Sequence, residues 1–226
     1  MTFLCRTFQL RLSAAAALAL LFSAACGQPA EAKRDGAQLD ADAWVIGPII
    51  KGRNYSRAMP LHPTPRPDGG WHIDLPRAPG SVHYVTFPHG SLAGKSRIVM
   101  RYRIEMAPGV RIEARTAPGT PGMITPYFQR AGDNWSGRGR FETYRWYATF
   151  ATQSPLERGE HVIVAPLGGR WTAVETSTAS NSPAAFRAAL AGADQVGFVL
   201  GGGDGYGHGV YATGKARLIV TQFRVE

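Results

Sequence analysis

Residues 97–106, RIVMRYRIEM, constrain the fold more than any other stretch. Ile98, Met100, Tyr102 and Ile104 fall on one side of an extended chain, and Arg101, Arg103 and Glu105 fall on the other. Strict period two describes a strand with one dry face and one wet face. Further short runs of the same kind follow one another along the chain: WHIDL, SVHYVTF, VRIEAR, MITPYFQ, FETYRWYATF, HVIVAPL, QVGFVL and RLIVTQFRV. Between them stand APG, APGTPG, AGDNWSGRG, LGGRW and GGGDGYGHG, whose Gly, Pro, Asn and Asp residues favour turns. Many short strands joined by Gly/Pro turns fold as an all-β protein, a jelly-roll β-sandwich. One helix is expected near residues 183–191, where Ser182 is placed to cap, Pro183 fits the first helical position and Gly192 ends the run.

The ends carry a different message. Arg6 and Arg11 precede an apolar run from Leu12 to Ala25, and Ser23, Ala24 and Ala25 lead into Cys26. This has the layout of a secretory signal. The small residues before Cys26 resemble a bacterial lipoprotein signal, and the resemblance implies lipidation of Cys26. The expected organisation is a signal peptide over 1–25, a polar Ala-rich tether over 26–43 and one sandwich domain over 44–226. With Cys5 in the signal, Cys26 is the one cysteine left, so neither an intramolecular disulfide nor a cysteine zinc site is expected. Loss of Arg6 and Arg11 lowers the formal charge from +9 to +7. The positive residues are scattered arginines and form no nucleic-acid arm. A basic surface in the cell envelope suits acidic polysaccharide or anionic lipid headgroups.

Near the C-terminus, Gly209, Gly214, Lys215 and Ala216 imitate a phosphate-binding loop. Ala216 stands where that loop needs a Ser or Thr hydroxyl for Mg²⁺. The residues after it, RLIVTQFRVE, read as a strand, so the helix N-terminus that would hold phosphate is missing. No nucleotide site is expected. The six histidines have no metal-ligand spacing, and GGGDGYG has one acid, too few for a calcium loop.

The segments GDNWSGRGRFETYRWYATF, AAFRAALAGADQVGFVLGG and GHGVYATGKARLIVTQFRVE together resemble the galactose-binding-like β-sandwiches. They are most similar to carbohydrate-binding-module-like domains of bacterial secreted proteins. The resemblance covers residues 71–226. It implies a jelly-roll sandwich that binds polysaccharide or another glycan, and it is compatible with a structural Ca²⁺ held by several loops.

Sugar recognition needs flat aromatic faces and fixed polar groups. Residues 123–147 are rich in both. The candidate carbohydrate-binding set is Tyr127, Asp133, Asn134, Trp135, Arg138, Arg140, Tyr144 and Trp146. If the strand runs from Phe141, alternation puts Glu142, Tyr144 and Trp146 on one face and Thr143, Arg145 and Tyr147 on the other. One of these faces is core, and the sequence does not say which. Trp135, in a turn-rich loop, is expected at the rim of the sheet. Two other readings stay open. One is a polysaccharide lyase or glycoside hydrolase on the same fold, for which Arg101, Arg103, Arg145, Tyr147 and His208 supply groups without a recognisable constellation. The other is a structural envelope lipoprotein that contacts a protein partner.

Overall fold

The repeated two-residue alternation pairs strands into two main antiparallel sheets. The computed structural model describes residues 39–79, 81–149, 152–175 and 177–226. Cys26 and the expected signal lie outside the described residues. The larger sheet has seven strands: β1 (Val45–Gly47), β6 (His83–Pro88), β15 (Ala193–Gly201), β10 (Met123–Arg130), β11 (Arg145–Tyr147) and β14 (Thr172–Ala173) in spatial order, with β12 (Ser154–Pro155) also on β10. The smaller has five: β13 (Gly159–Pro166), β7 (Arg97–Met106), β17 (Ala216–Val225), β5 (Trp71–Asp74) and β4 (Thr64–Pro65). Two small sheets complete the fold, one of β16 (Val210–Ala212), β8 (Ile112–Ala114) and β9 (Ala117–Pro121), the other of β2 (Ile49–Ile50) and β3 (Arg53–Asn54). The described residues form an all-β jelly-roll sandwich with one α-helix, α1 (Pro183–Ala191). Ser182 precedes α1 as expected, but its side chain makes no capping hydrogen bond.

The core lies between the two sheets and is aromatic. Trp44 packs on Trp71 and Phe87 with ring centroids 4.9 and 4.6 Å away. Towards the other end, Trp146 meets Phe186 of α1 at 4.8 Å, and Phe128 meets Trp171 at 5.1 Å. Burying a large apolar side chain contributes about 1.5–3 kcal/mol, so these contacts dominate the sandwich. The expected alternation of β7 holds: Ile98, Met100, Tyr102 and Ile104 are buried, while Arg101 and Glu105 are exposed. The tether expected to run to residue 43 stops short of that. Ala41–Ala43 form a 3₁₀ turn, Asp40 accepts a hydrogen bond from the Asp42 N–H, and Ala41 is buried in the core.

The outer face of the five-stranded sheet is an ordinary wet face. Arg217 lies in register with both Asp74 and Glu105 and pairs with Asp74 at 2.7 Å. Arg103 reaches Glu105 at 2.7 Å and Glu160 at 3.5 Å, and Arg97 and Arg224 share Glu226. Exposed pairs of this kind each contribute about 0–1 kcal/mol. The C-terminal Gly-Lys segment joins β16 to β17 as a turn between strands, with Lys215 exposed at its end. Lys215→Ala is therefore expected to shift unfolding stability by less than about 0.5 kcal/mol. Denaturant titration checks this, and a larger loss would mean that the lysine stem packs on the sheet.

Candidate functional site

The outer face of the seven-stranded sheet departs from the usual pattern. An antiparallel sandwich normally leaves that side to water. Here β10 is buried on both sides along Ile124–Gln129. Ile124 and Phe128 face the aromatic core, and Thr125, Tyr127 and Gln129 face outward. Register then assembles a second layer. Tyr127 lies opposite Tyr147 on β11 and Gly197 on β15, Gln129 lies opposite Arg145 and Gln195, and Tyr84 on β6 lies opposite Val199. Gly197 is required because a Cβ there would run into the backbone of Val85.

The tyrosines form a compact cluster. Tyr84 and Tyr127 meet edge-on at 5.1 Å, Tyr127 and Tyr147 are 5.1 Å apart, and the hydroxyls of Tyr84 and Tyr147 are hydrogen-bonded at 2.9 Å. Burial pushes all three phenols above their ordinary range, Tyr127 and Tyr147 well above it. They stay neutral at physiological pH and act as hydrogen-bonding hydroxyls, poorly suited to serve as bases.

A polar chain leads out of this cluster. The Tyr127 hydroxyl donates to Gln129 Oε1 at 3.0 Å, and Gln129 Nε2 donates to Asp133 Oδ2 at 3.0 Å. Arg145 Nε lies 3.0 Å from the same carboxylate oxygen, an ion pair and not an aligned hydrogen bond. The Asp133 side chain is fully buried and that of Arg145 is 9% exposed. Burial raises the Asp133 carboxyl above its ordinary range, against the pull of Arg145 and of its hydrogen bonds.

Asp133 also sets the loop above. It accepts the Trp135 N–H at 3.0 Å and Arg145 Nη2 donates to the Trp135 carbonyl at 3.3 Å, while Trp135 takes a left-handed φ of 65°. A bulky residue is strained there, and such strain persists only where its surroundings enforce it. The indole, half-buried, lies edge-on to Tyr84 at 5.2 Å, with the Arg145 guanidinium 4.9 Å from its centre.

The glycine-rich turn before β16 covers the opposite end. Tyr206 meets Tyr147 edge-on at 4.9 Å and donates to the Ala173 carbonyl. Asp204 accepts the Tyr206 N–H and pairs with His208 Nδ1 at 3.0 Å, both side chains being about two-fifths exposed. Gly209 has a φ of 94°, and a Cβ there would strike the Ser81 carbonyl, so this approach needs glycine. The result is an aromatic and polar face with Trp135 at one rim and Tyr206 and His208 at the other.

The structure separates the residues expected from sequence. Tyr127 and Asp133 lie beneath the face, and Trp135 lies at its rim. Asn134 is exposed and its Oδ1 accepts the Ser136 N–H. Arg138, Arg140 and Tyr144 sit on or beside a 3₁₀ turn, Gly139–Thr143, whereas a strand was expected from Phe141 onward. The strand starts only at Arg145, because the turn consumes Phe141–Thr143. Trp146 belongs to the inner core, where its Nε1 donates to the Thr143 carbonyl, so it shares no surface with Trp135. Of the groups named for the enzyme reading, Arg145, Tyr147 and His208 lie about this face, whereas Arg101 and Arg103 lie on the other sheet. Tyr84 was missed. Its signal was the alternation of Tyr84 and Thr86 with Val85 and Phe87.

Among the described residues, no three His, Cys, Asp or Glu side chains cluster as metal ligands, and no helix is long and apolar enough to cross a membrane. No family model and no curated protein matches the chain.

Proposed function

We propose that this protein is a carbohydrate-binding β-sandwich whose glycan lies against the outer face of the seven-stranded sheet. One observation carries the reading. A sheet face that would ordinarily be solvated bears a layer of tyrosines and a buried Arg–Gln–Asp network, bounded by the half-exposed Trp135, Tyr206 and His208. Burying so much polarity away from the main core costs stability. A binding surface is a reason to retain it, since the buried hydroxyls and amide hold the half-exposed Trp135, Tyr206 and His208 in place, and rings and polar groups fixed at a rim are what sugar C–H patches and hydroxyls need. Binding without catalysis is favoured because Asp133, the carboxylate under the face, is buried and tied to Arg145 and Gln129.

A glycan array read with and without product analysis tests the reading. Binding without chain shortening is the expected result, chain shortening would favour the enzyme, and a blank array would remove the proposal. Trp135→Ala is expected to weaken glycan binding about thirtyfold, the equivalent of about 2 kcal/mol. Unchanged affinity would move the contact to Tyr206 and His208.

The N-terminal sequence supports an envelope placement for this domain, lipid-anchored through Cys26 and reached by the polar segment after it. A Cys26→Ser protein is expected to leave the membrane fraction, and mass spectrometry of the membrane-extracted wild type should find an acyl increment on Cys26. Wild-type protein without that increment would end the proposal.

A further inference from the structure

Two groups of arginines in the described residues differ in their partners. On the five-stranded sheet Arg97, Arg103, Arg217 and Arg224 each have a carboxylate partner. Around the 3₁₀ turn Gly139–Thr143 the arrangement differs. The guanidinium of Arg130 lies 4.8 Å from the centre of the Tyr144 ring, and that of Arg140 lies 4.8 Å from the centre of Phe141. The two rings are themselves 5.0 Å apart in an edge-on contact. Arg130, Tyr144, Phe141 and Arg140 thus form one row with a cation at each end. Among the described residues no carboxylate pairs with Arg130, Arg140 or the adjacent exposed Arg138. Glu142, the acid inside the turn, is engaged by the Gly139 N–H at 3.2 Å.

We propose that this arginine–aromatic row binds the repeated negative charge of an acidic polysaccharide. The proposal rests on the carbohydrate reading above and names the substrate class. A guanidinium laid on a ring has its flat face covered and its stem held, so its N–H edge is presented at little further entropic cost. That edge matches a carboxylate or sulfate in two parallel hydrogen bonds. Two such cations separated by two rings suit a chain with charge at intervals better than one small anion. The row lies at the end of β10 and β11. Arg130 follows Gln129, Tyr144 precedes Arg145, and the Arg130 N–H donates to the Tyr144 carbonyl at 2.8 Å. Gln129 and Arg145 face outward, so alternation turns Arg130 to the other side, where its side chain packs at Gly192 beside the end of α1, and the row is a contact separate from the sugar face.

Titration calorimetry with polygalacturonate, its methyl-esterified form, a neutral glucan and duplex DNA tests this. Polygalacturonate is expected to bind with an affinity that falls as salt rises, and the methyl ester to bind at least about tenfold more weakly. Arg130→Gln/Arg140→Gln should lose at least about tenfold for polygalacturonate and leave uncharged polymers unaffected. Arg140→Gln alone, at an exposed side chain, should move the same way and guards against misfolding of the double variant. Equal affinity for acid and ester, or variants that bind polygalacturonate as wild type does, would overturn the proposal while binding of uncharged polymer kept the carbohydrate reading. Binding of none of the glycans would sink both. DNA bound as tightly, with the same sensitivity to the variants, would overturn the assignment to polysaccharide.

Discussion

Arg145→Met is expected to cost about 3–5 kcal/mol of folding stability, because it strands a buried carboxylate. The Asp133 side chain has no exposed surface, and Arg145 is the cation beside it. Methionine fills much of the stem's space but returns no charge. Gln129 and the Trp135 N–H remain as hydrogen-bond donors, which is less than a buried carboxylate needs. The loop also loses the hydrogen bond to the Trp135 carbonyl and the cation over its indole. For a domain of this size the loss corresponds to a fall in Tm of roughly 10 °C. Burial already raises the Asp133 carboxyl, and loss of Arg145 raises it further. A carboxyl whose folded pKa exceeds its unfolded value favours the folded state at low pH, so the variant should recover stability relative to wild type as the pH falls. Asp133→Asn in the Arg145→Met background should restore part of the loss at neutral pH, since the amide is neutral and can still accept from Trp135. Denaturant unfolding of the two singles and the double measures this coupling. A single-variant loss under about 1 kcal/mol would show that water reaches the pair and that the face is open in solution.

The sheet architecture was legible in the sequence because period two is a backbone property. Ile98, Met100, Tyr102 and Ile104 had to share a side, and that side is buried. Helix α1 was legible for a similar reason, since Pro183 and Gly192 are punctuation that local geometry dictates. The site was only partly legible. Residues 123–147 do hold Tyr127, Gln129, Asp133, Trp135, Arg145 and Tyr147, which meet in space. Two things hid their arrangement. Alternation sorts residues into two faces without naming the inner one, and a strand buried on both faces carries no apolar–polar contrast. Trp146 and Tyr147 are adjacent, bulky and almost fully buried, yet one faces the inter-sheet core and the other faces the tyrosine layer. The 3₁₀ turn was also hidden, because FETYRWY reads as strand until tertiary contacts decide it. Tyr84 comes from a strand far away in sequence, and only pairing through β15 brings it to Tyr127.

Acid is expected to destabilise this protein well above the range in which carboxylates titrate, and His83 is the reason. Its side chain is 1% exposed. Its Nε2 lies 3.3 Å from the Val210 carbonyl, which can only accept, so Nε2 carries the proton and Nδ1 accepts from the Ser56 hydroxyl at 2.7 Å. The neutral ring is thus fully satisfied, and a second proton would place a positive charge in a buried site. Burial lowers the His83 pKa to about 4, and the nearby Arg115 opposes protonation further. Between 6.5 and about 4 the unfolded chain takes up a proton that the folded chain refuses. Stability from this residue is therefore complete above pH 6.5 and declines by about 3 kcal/mol as the pH falls to 4. The paired carboxylates act lower down. Arg217 holds Asp74 below its ordinary range, and Tyr211, Gly119 and Arg111 do the same for Glu113, so their losses begin after most of the His83 change. Urea unfolding at steps from pH 7 to 4.5 should show a steep fall in the wild type. His83→Gln, which can still donate to Val210 and accept from Ser56, should be less stable at pH 7 but fall less steeply over the same interval, with a residual slope from His72, whose pKa burial also lowers. An acid limb of equal slope in both proteins would assign it to other groups and place His83 in contact with water.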